Sequence, residues 1–186
     1  MSLLDRNCGK NAVPSFAFYS LFRDCKGLTE APELPATELA WRCYSSMFNG
    51  CTSLIEAPAL PATELEQWCY SGMFCLCIGL TKAPALPATE LADACYNRMF
   101  EGCTSLAEAP ALPAMELVKS CYAWMFSGCT SLNYVKALFT DEPSKESTQN
   151  WLRNVSPTGT FVKSKDAKWD VRGDDGIPEG WTVGTE

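Results

Sequence analysis

The side chains best suited to chemistry in this 186-residue chain are its cysteines, of which there are 11. An odd number of cysteines cannot pair completely within one chain. Thiolates bind zinc and act as nucleophiles, but histidine, their usual partner in both roles, is absent. Ser/His/Asp and Cys/His catalysis is therefore excluded, as is every zinc site that contains histidine.

Nine of the cysteines form two columns with a spacing of 26 residues, namely Cys43, Cys69, Cys95, Cys121 and Cys25, Cys51, Cys77, Cys103, Cys129. A metal column and disulfide staples are the functional interpretations. The two cysteines of one copy, such as Cys43 and Cys51, are eight residues apart, which differs from the spacing of zinc ligands. Free cysteine is also one of the residues most often buried. We predict buried thiols, with Cys8 and Cys75 as exceptions that could pair or oxidise. Many reduced thiols suit a reducing environment.

Two acidic features could also carry function. One is a glutamate column at the same spacing: Glu38, Glu64, Glu90 and Glu116. A cation ladder is one interpretation, but neutralising a helix dipole explains the column with fewer assumptions. The other is the integrin-type tripeptide Arg172-Gly173-Asp174, which we interpret as a turn. The nearby aspartates lack the spacing of a calcium loop.

No glycine-rich phosphate-binding motif occurs in the sequence. We therefore expect no enzyme activity, no cofactor and no metal. The net charge of −7 and the pI near 4.7 argue against nucleic acid as a partner. No run of 18 apolar residues appears, so we expect no membrane insertion. The opening MSLLDRNCGK lacks the apolar core of a signal peptide, which indicates a non-secretory route or a segment of a longer protein.

The elements that position these residues repeat every 26 residues, in copies at 31–56, 57–82, 83–108 and 109–134. A decayed copy precedes them at 5–30. A fixed period of this length is typical of a solenoid. We divide the chain into a degenerate N-terminal repeat or cap (1–30), four repeats (31–134) and a C-terminal cap with short strands (135–186).

The second half of each copy has apolar residues at helix-like intervals, in the first copy Leu39, Cys43, Tyr44, Met47, Phe48 and Cys51. We predict a helix there, begun by a capping Thr37 and ended by Gly50. A short strand around 54–57 follows, since two prolines limit its length. Strands stack about 4.8 Å apart and helices need about 8–10 Å, so we expect a curved stack with helices outside.

The prediction is an α/β fold, a curved leucine-rich-repeat solenoid with short parallel strands on the concave face and helices on the convex face. The stretch MFNGCTSLIEAPALPATELEQWCYSGMF resembles the BspA-type leucine-rich repeats of bacterial surface proteins. The resemblance covers about 14–134. It implies a solenoid used for adhesion or protein recognition at a cell surface, without a catalytic site.

Residues that differ between copies are the candidate binding residues. A concave row contains Thr29, Glu30, Ile55, Glu56, Thr81, Lys82, Ala107, Glu108, Asn133 and Tyr134. Solenoids commonly bind partners through such surfaces. The alternative is a convex set of tryptophans, Trp41, Trp68 and Trp124, because tryptophan is enriched at binding hot spots.

We therefore expect a non-enzymatic binding or adhesion module of a bacterial surface protein, with a protein or glycan as partner. Two alternatives remain at this point. One is a receptor-recognition segment of a phage tail fibre or virion, which would place the chain on a virion. The other is an intracellular interaction scaffold, which would place it in the cytoplasm. We expect a monomer or a part of a longer chain.

Overall fold

The backbone of this protein forms a stack of coils, each built from consecutive turns. The computed structural model describes residues 11–186. Turn segments recur with the period of the sequence at 15–24, 41–50, 67–76, 93–102, 119–128 and 145–154. In these segments successive backbone N–H groups bond alternately to a carbonyl of the same coil and to a carbonyl of the next coil. The N–H of Cys69 bonds to Glu66 O in its own coil at 3.1 Å, and that of Tyr70 bonds to Cys95 O in the next coil at 3.1 Å.

The predicted helices are wrong, because residues 11–186 contain no helix. An α-helix needs negative φ throughout, whereas every fourth residue of a turn segment has positive φ, as at Arg42 (56°), Ser46 (57°) and Gly50 (76°). The apolar residues of each copy recur at intervals of four, which matches these four-residue turns better than the 3.6-residue helix. Their side chains therefore share one side of a turn segment without forming a helix.

Equivalent side chains of successive coils lie directly on one another. The rings of Tyr44, Tyr70, Tyr96 and Tyr122 stack with centroids 5.8–6.2 Å apart. A phenylalanine column beside them has spacings of 5.6–5.7 Å. Helix axes need about 8–10 Å, so a helix in each copy could not stack at this spacing. The leucine-rich-repeat interpretation is therefore wrong. A curved stack was expected because helices need more space than strands, and this reason no longer applies to residues 11–186.

Regular strands occur only near the C-terminal end of the described chain. They are β1 (Tyr134–Ala137), β2 (Gly159–Lys163) and β3 (Trp181–Thr185). The strands form one parallel sheet in the order β1-β2-β3. The strand predicted at 54–57 is reduced to an isolated bridge between Glu56 and Lys82.

The last turn segment, 145–154, lies in the region predicted as the C-terminal cap, and a loop at 174–176 covers its free side. The N–H of Asn150 donates to the Asp175 carboxylate at 2.6 Å, and that of Leu152 donates to Asp174 O at 3.4 Å. Trp151 Nε1 donates to Gly176 O at 2.9 Å. The loop thus supplies acceptors where the next coil would have supplied them.

Replacing Ser46 with glycine tests the turn backbone. Ser46 has a φ of 57°, and non-glycine residues in this region are strained. We expect Ser46→Gly to leave the free energy of unfolding unchanged or to raise it by up to about 1 kcal/mol, as measured by urea denaturation. The matched variant Asn49→Gly, at a residue with negative φ in the same turn segment, should lower it. Comparable losses from both variants would indicate a helix instead.

Candidate functional site

The cysteine columns are buried and unpaired. Eight thiols are fully buried and free, which confirms the prediction for them: Cys43, Cys51, Cys69, Cys77, Cys95, Cys103, Cys121 and Cys129. Cys25, at the N-terminal end of its column, is exposed, and Cys75 is half-buried. Cys8 lies outside the described residues. Among residues 11–186, no group of three or more Cys, Asp or Glu side chains could hold a metal ion.

One cysteine column contributes hydrogen bonds between coils. The Cys77 thiol donates to Phe48 O at 3.1 Å, and equivalent bonds of 3.0–3.1 Å recur along the column. Desolvation raises the pKa of Cys51 to about 11 and that of Cys129 to about 12. A thiol that stays protonated is a poor nucleophile and a poor metal ligand. These thiols are therefore suited to packing and not to chemistry.

The acidic candidates take structural or solvent-exposed positions. The four glutamates of the predicted column, Glu38, Glu64, Glu90 and Glu116, are exposed. Their interpretation as partners of helix dipoles fails because residues 11–186 contain no helix. Asp174 belongs to the loop that covers the last coil, and its carboxylate lies 3.8 Å from Arg153. Arg172 pairs instead with Asp170 at 3.1 Å. The Arg-Gly-Asp tripeptide is thus part of the C-terminal cap.

The ten residues predicted as a concave row do come together, and we call them the ladder row. Equivalent members are hydrogen-bonded at two of the junctions between coils, from the Thr81 N–H to Ile55 O at 3.0 Å and from the Asn133 N–H to Ala107 O at 2.9 Å. All members are exposed except Tyr134, which is half-buried. Because the part of the chain that the structure describes has no helical face, the terms concave and convex no longer apply. The row instead forms one continuous exposed strip along the stack.

The N-terminal part of the ladder row borders an open cavity of about 490 Å³, lined by Thr29, Glu30, Ala31, Ile55, Glu56, Ala57 and Pro58. Ile55 is 54% exposed beside two carboxylates of this cavity. Lys82 Nζ lies 3.5 Å from Glu56 Oε1, whereas Glu30 makes no ion pair within residues 11–186. The cavity therefore combines an apolar contact with an acidic rim.

The tryptophans of the alternative set lie along the turn segments, each beside an arginine. The Arg42 guanidinium carbon is 5.3 Å from the Trp41 ring centroid and 4.8 Å from that of Trp68. Arg98 lies 4.7 Å from the Trp124 ring in the same way. Sequence reasoning named the tryptophans and missed both arginines. The 26-residue offset from Arg42 to Trp68 and from Arg98 to Trp124 was the available signal.

Within residues 11–186, no helix has the length and apolarity needed to cross a bilayer. The chain matches no protein-family model, no curated protein and no solved structure.

The buried thiols and tyrosines predict unfolding at alkaline pH. Burial raises the pKa of Cys103 and of Tyr122 well above their ordinary values. A raised folded-state pKa contributes stability that is complete below the unfolded pKa and is lost as pH rises. We expect the free energy of unfolding to be constant up to about pH 8 and then to fall, by up to about 1.4 kcal/mol per pH unit for each group.

Urea denaturation under reducing conditions between neutral and alkaline pH measures this dependence. Cys103→Ala should make the alkaline fall shallower. The matched truncation Leu106→Ala, at another fully buried residue, should lower stability equally at every pH. A pH-independent free energy of unfolding in the unsubstituted protein would contradict the burial of these groups.

Proposed function

We propose that this protein is a non-enzymatic binding module that recognises a protein or glycan partner through its ladder row. The observation that carries the proposal is a contrast between the buried and the exposed positions of the repeat. Buried columns keep the same residue in successive coils, as in the four stacked tyrosines. The ladder row changes from Ile55-Glu56 to Thr81-Lys82 on the same backbone.

Its backbone geometry supports this role. The inter-coil hydrogen bonds at Thr81 and Asn133 fix the spacing of the exposed side chains before any partner arrives. Binding through a preorganised surface loses less conformational entropy than binding through a mobile loop. The cavity beside Ile55 offers room for an apolar group of the partner, and the carboxylates at its rim favour polar or cationic neighbours.

The proposed location is the outside of a bacterial cell, where the module would contribute to adhesion. This location rests on the sequence resemblance of the repeat alone, because the helices that the resemblance implied are absent from residues 11–186. Recognition by such a row would involve no covalent step. Specificity would depend on the side chains that differ from coil to coil, since these determine the shape and charge of the strip.

Alanine replacement of Ile55, Glu56, Thr81 and Lys82 together tests the proposal. The labelled protein is applied to arrays of purified glycans and of synthetic peptides, and the variant is compared with the unsubstituted chain. We expect the variant to lose at least about tenfold in affinity for whatever the unsubstituted chain binds, which corresponds to about 1.4 kcal/mol.

The control variant replaces the exposed Glu64 and Glu90 with alanine and should bind normally. Thermal unfolding of both variants shows whether the coils remain intact. Unchanged binding by a folded ladder-row variant would contradict the proposal, as would an equal loss in the control.

A further inference from the structure

A second surface of the stack carries bulky side chains where the backbone is strained. Phe16, Arg42 and Trp68 occupy equivalent places in three successive coils, with φ values of 58°, 56° and 62°. Bulky residues rarely adopt this left-handed conformation. Glycine takes other positive-φ places of the same coils, at Gly50 and Gly72. Small residues such as Ser46 and Ala94 occupy further positive-φ places, so this conformation belongs to the fold, and the bulk of Phe16, Arg42 and Trp68 is what distinguishes the surface.

These side chains form one group at the surface with two neighbours, which we call the Arg42 cluster: Phe16, Tyr19, Trp41, Arg42 and Trp68. Arg42 and Trp68 are half-buried, and the other three are exposed. The Phe16 ring packs edge-to-face on Trp41 at 4.8 Å and on Tyr19 at 5.7 Å. Phe16, Tyr19 and Trp41 each remain 44–45% exposed. Apolar rings left this open on two adjacent coils are typical of interaction surfaces.

The charge of Arg42 has no acidic partner among residues 11–186. None of their carboxylates lies within 4 Å of it, and its Nε is buried without a hydrogen bond. A second arginine on tryptophan, four residues further along its own turn segment, differs in this respect, because Arg98 Nη1 lies 2.7 Å from Glu101 Oε2. In a chain with 22 acidic and 15 basic residues, an unpaired guanidinium in an aromatic setting is notable.

We propose that the Arg42 cluster is a docking surface for an acidic peptide segment of a protein partner. A carboxylate of the partner would accept hydrogen bonds from the Arg42 guanidinium, which matches carboxylate geometry with a planar pair of donors. An apolar side chain next to that carboxylate would lie against Phe16, Tyr19 and Trp41. This surface is separate from the ladder row, and the inference does not depend on the row's function.

Two observations favour a peptide over an acidic sugar. The Arg42 guanidinium lies over the indole rings of both Trp41 and Trp68, so a face of each ring is already covered and unavailable for stacking on a sugar. The cluster also combines tryptophan, tyrosine and arginine, the three residue types most enriched at protein–protein hot spots. Stacking on the indoles holds the guanidinium in place, which reduces the conformational freedom lost on binding.

The test uses synthetic peptides with a central glutamate flanked by leucine and phenylalanine, a matched set with glutamine in place of glutamate, and a glycan array that includes uronic acids. Binding is measured by fluorescence anisotropy for the peptides. We expect glutamate peptides to bind at least about tenfold more tightly than their glutamine counterparts. We expect Arg42→Gln to abolish this preference and Arg42→Lys to retain only part of it, because an ammonium lacks the planar pair of donors.

The matched control is Arg98→Gln, which alters an arginine with the same aromatic contact but its own carboxylate partner, and it should change peptide affinity less than twofold. Absence of a glutamate preference in the unsubstituted protein would overturn the proposal without relying on any variant. A glutamate preference that survives in folded Arg42→Gln, an equal loss in Arg98→Gln, or binding to acidic glycans alone would also overturn it.

Discussion

The hydrogen bond from an amide in one coil to a carbonyl in the next is the interaction on which the structure depends. It recurs at alternate residues of each turn segment, as from Tyr70 to Cys95 and from Phe74 to Met99. It fixes the distance between coils, and the aromatic columns accordingly repeat at 5.6–6.2 Å. Every residue must therefore pack against its equivalent 26 positions away. This requirement explains why the buried half of the repeat changes so little along the chain.

The same bond explains how the buried columns and the C-terminal cap are built. Cysteine suits a column in which little space separates one coil from the next, and its thiol adds a weak bond to a carbonyl of the preceding coil, as from Cys103 to Phe74. At the last coil no further repeat supplies acceptors. The loop containing Asp174 and Asp175 accepts those amide hydrogens, and a parallel three-stranded sheet continues the ladder row beyond Tyr134.

The sequence predicts the period, the stacking of equivalent residues and eight of the buried thiols, because all three follow from repetition and hydrophobicity. The conformation within one coil was predicted incorrectly, since apolar residues at 43, 47 and 51 fit both a helix and a series of four-residue turns. Helix propensity takes no account of hydrogen bonds to another coil, and these bonds determine the backbone conformation of each turn segment. The ladder row was identified because its residues vary, whereas Arg42 was missed because its environment depends on a neighbour 26 residues away.

Turn-segment amides bond to the next coil and not within a helix, and trans-hydrogen-bond scalar couplings in isotopically labelled protein detect these bonds one by one. We expect a coupling between the Tyr70 amide nitrogen and the carbonyl carbon of Cys95, and a matching one between Tyr96 and Cys121. A coupling from the Tyr70 amide to the carbonyl of Glu66, four residues earlier, would show a helix and contradict the account.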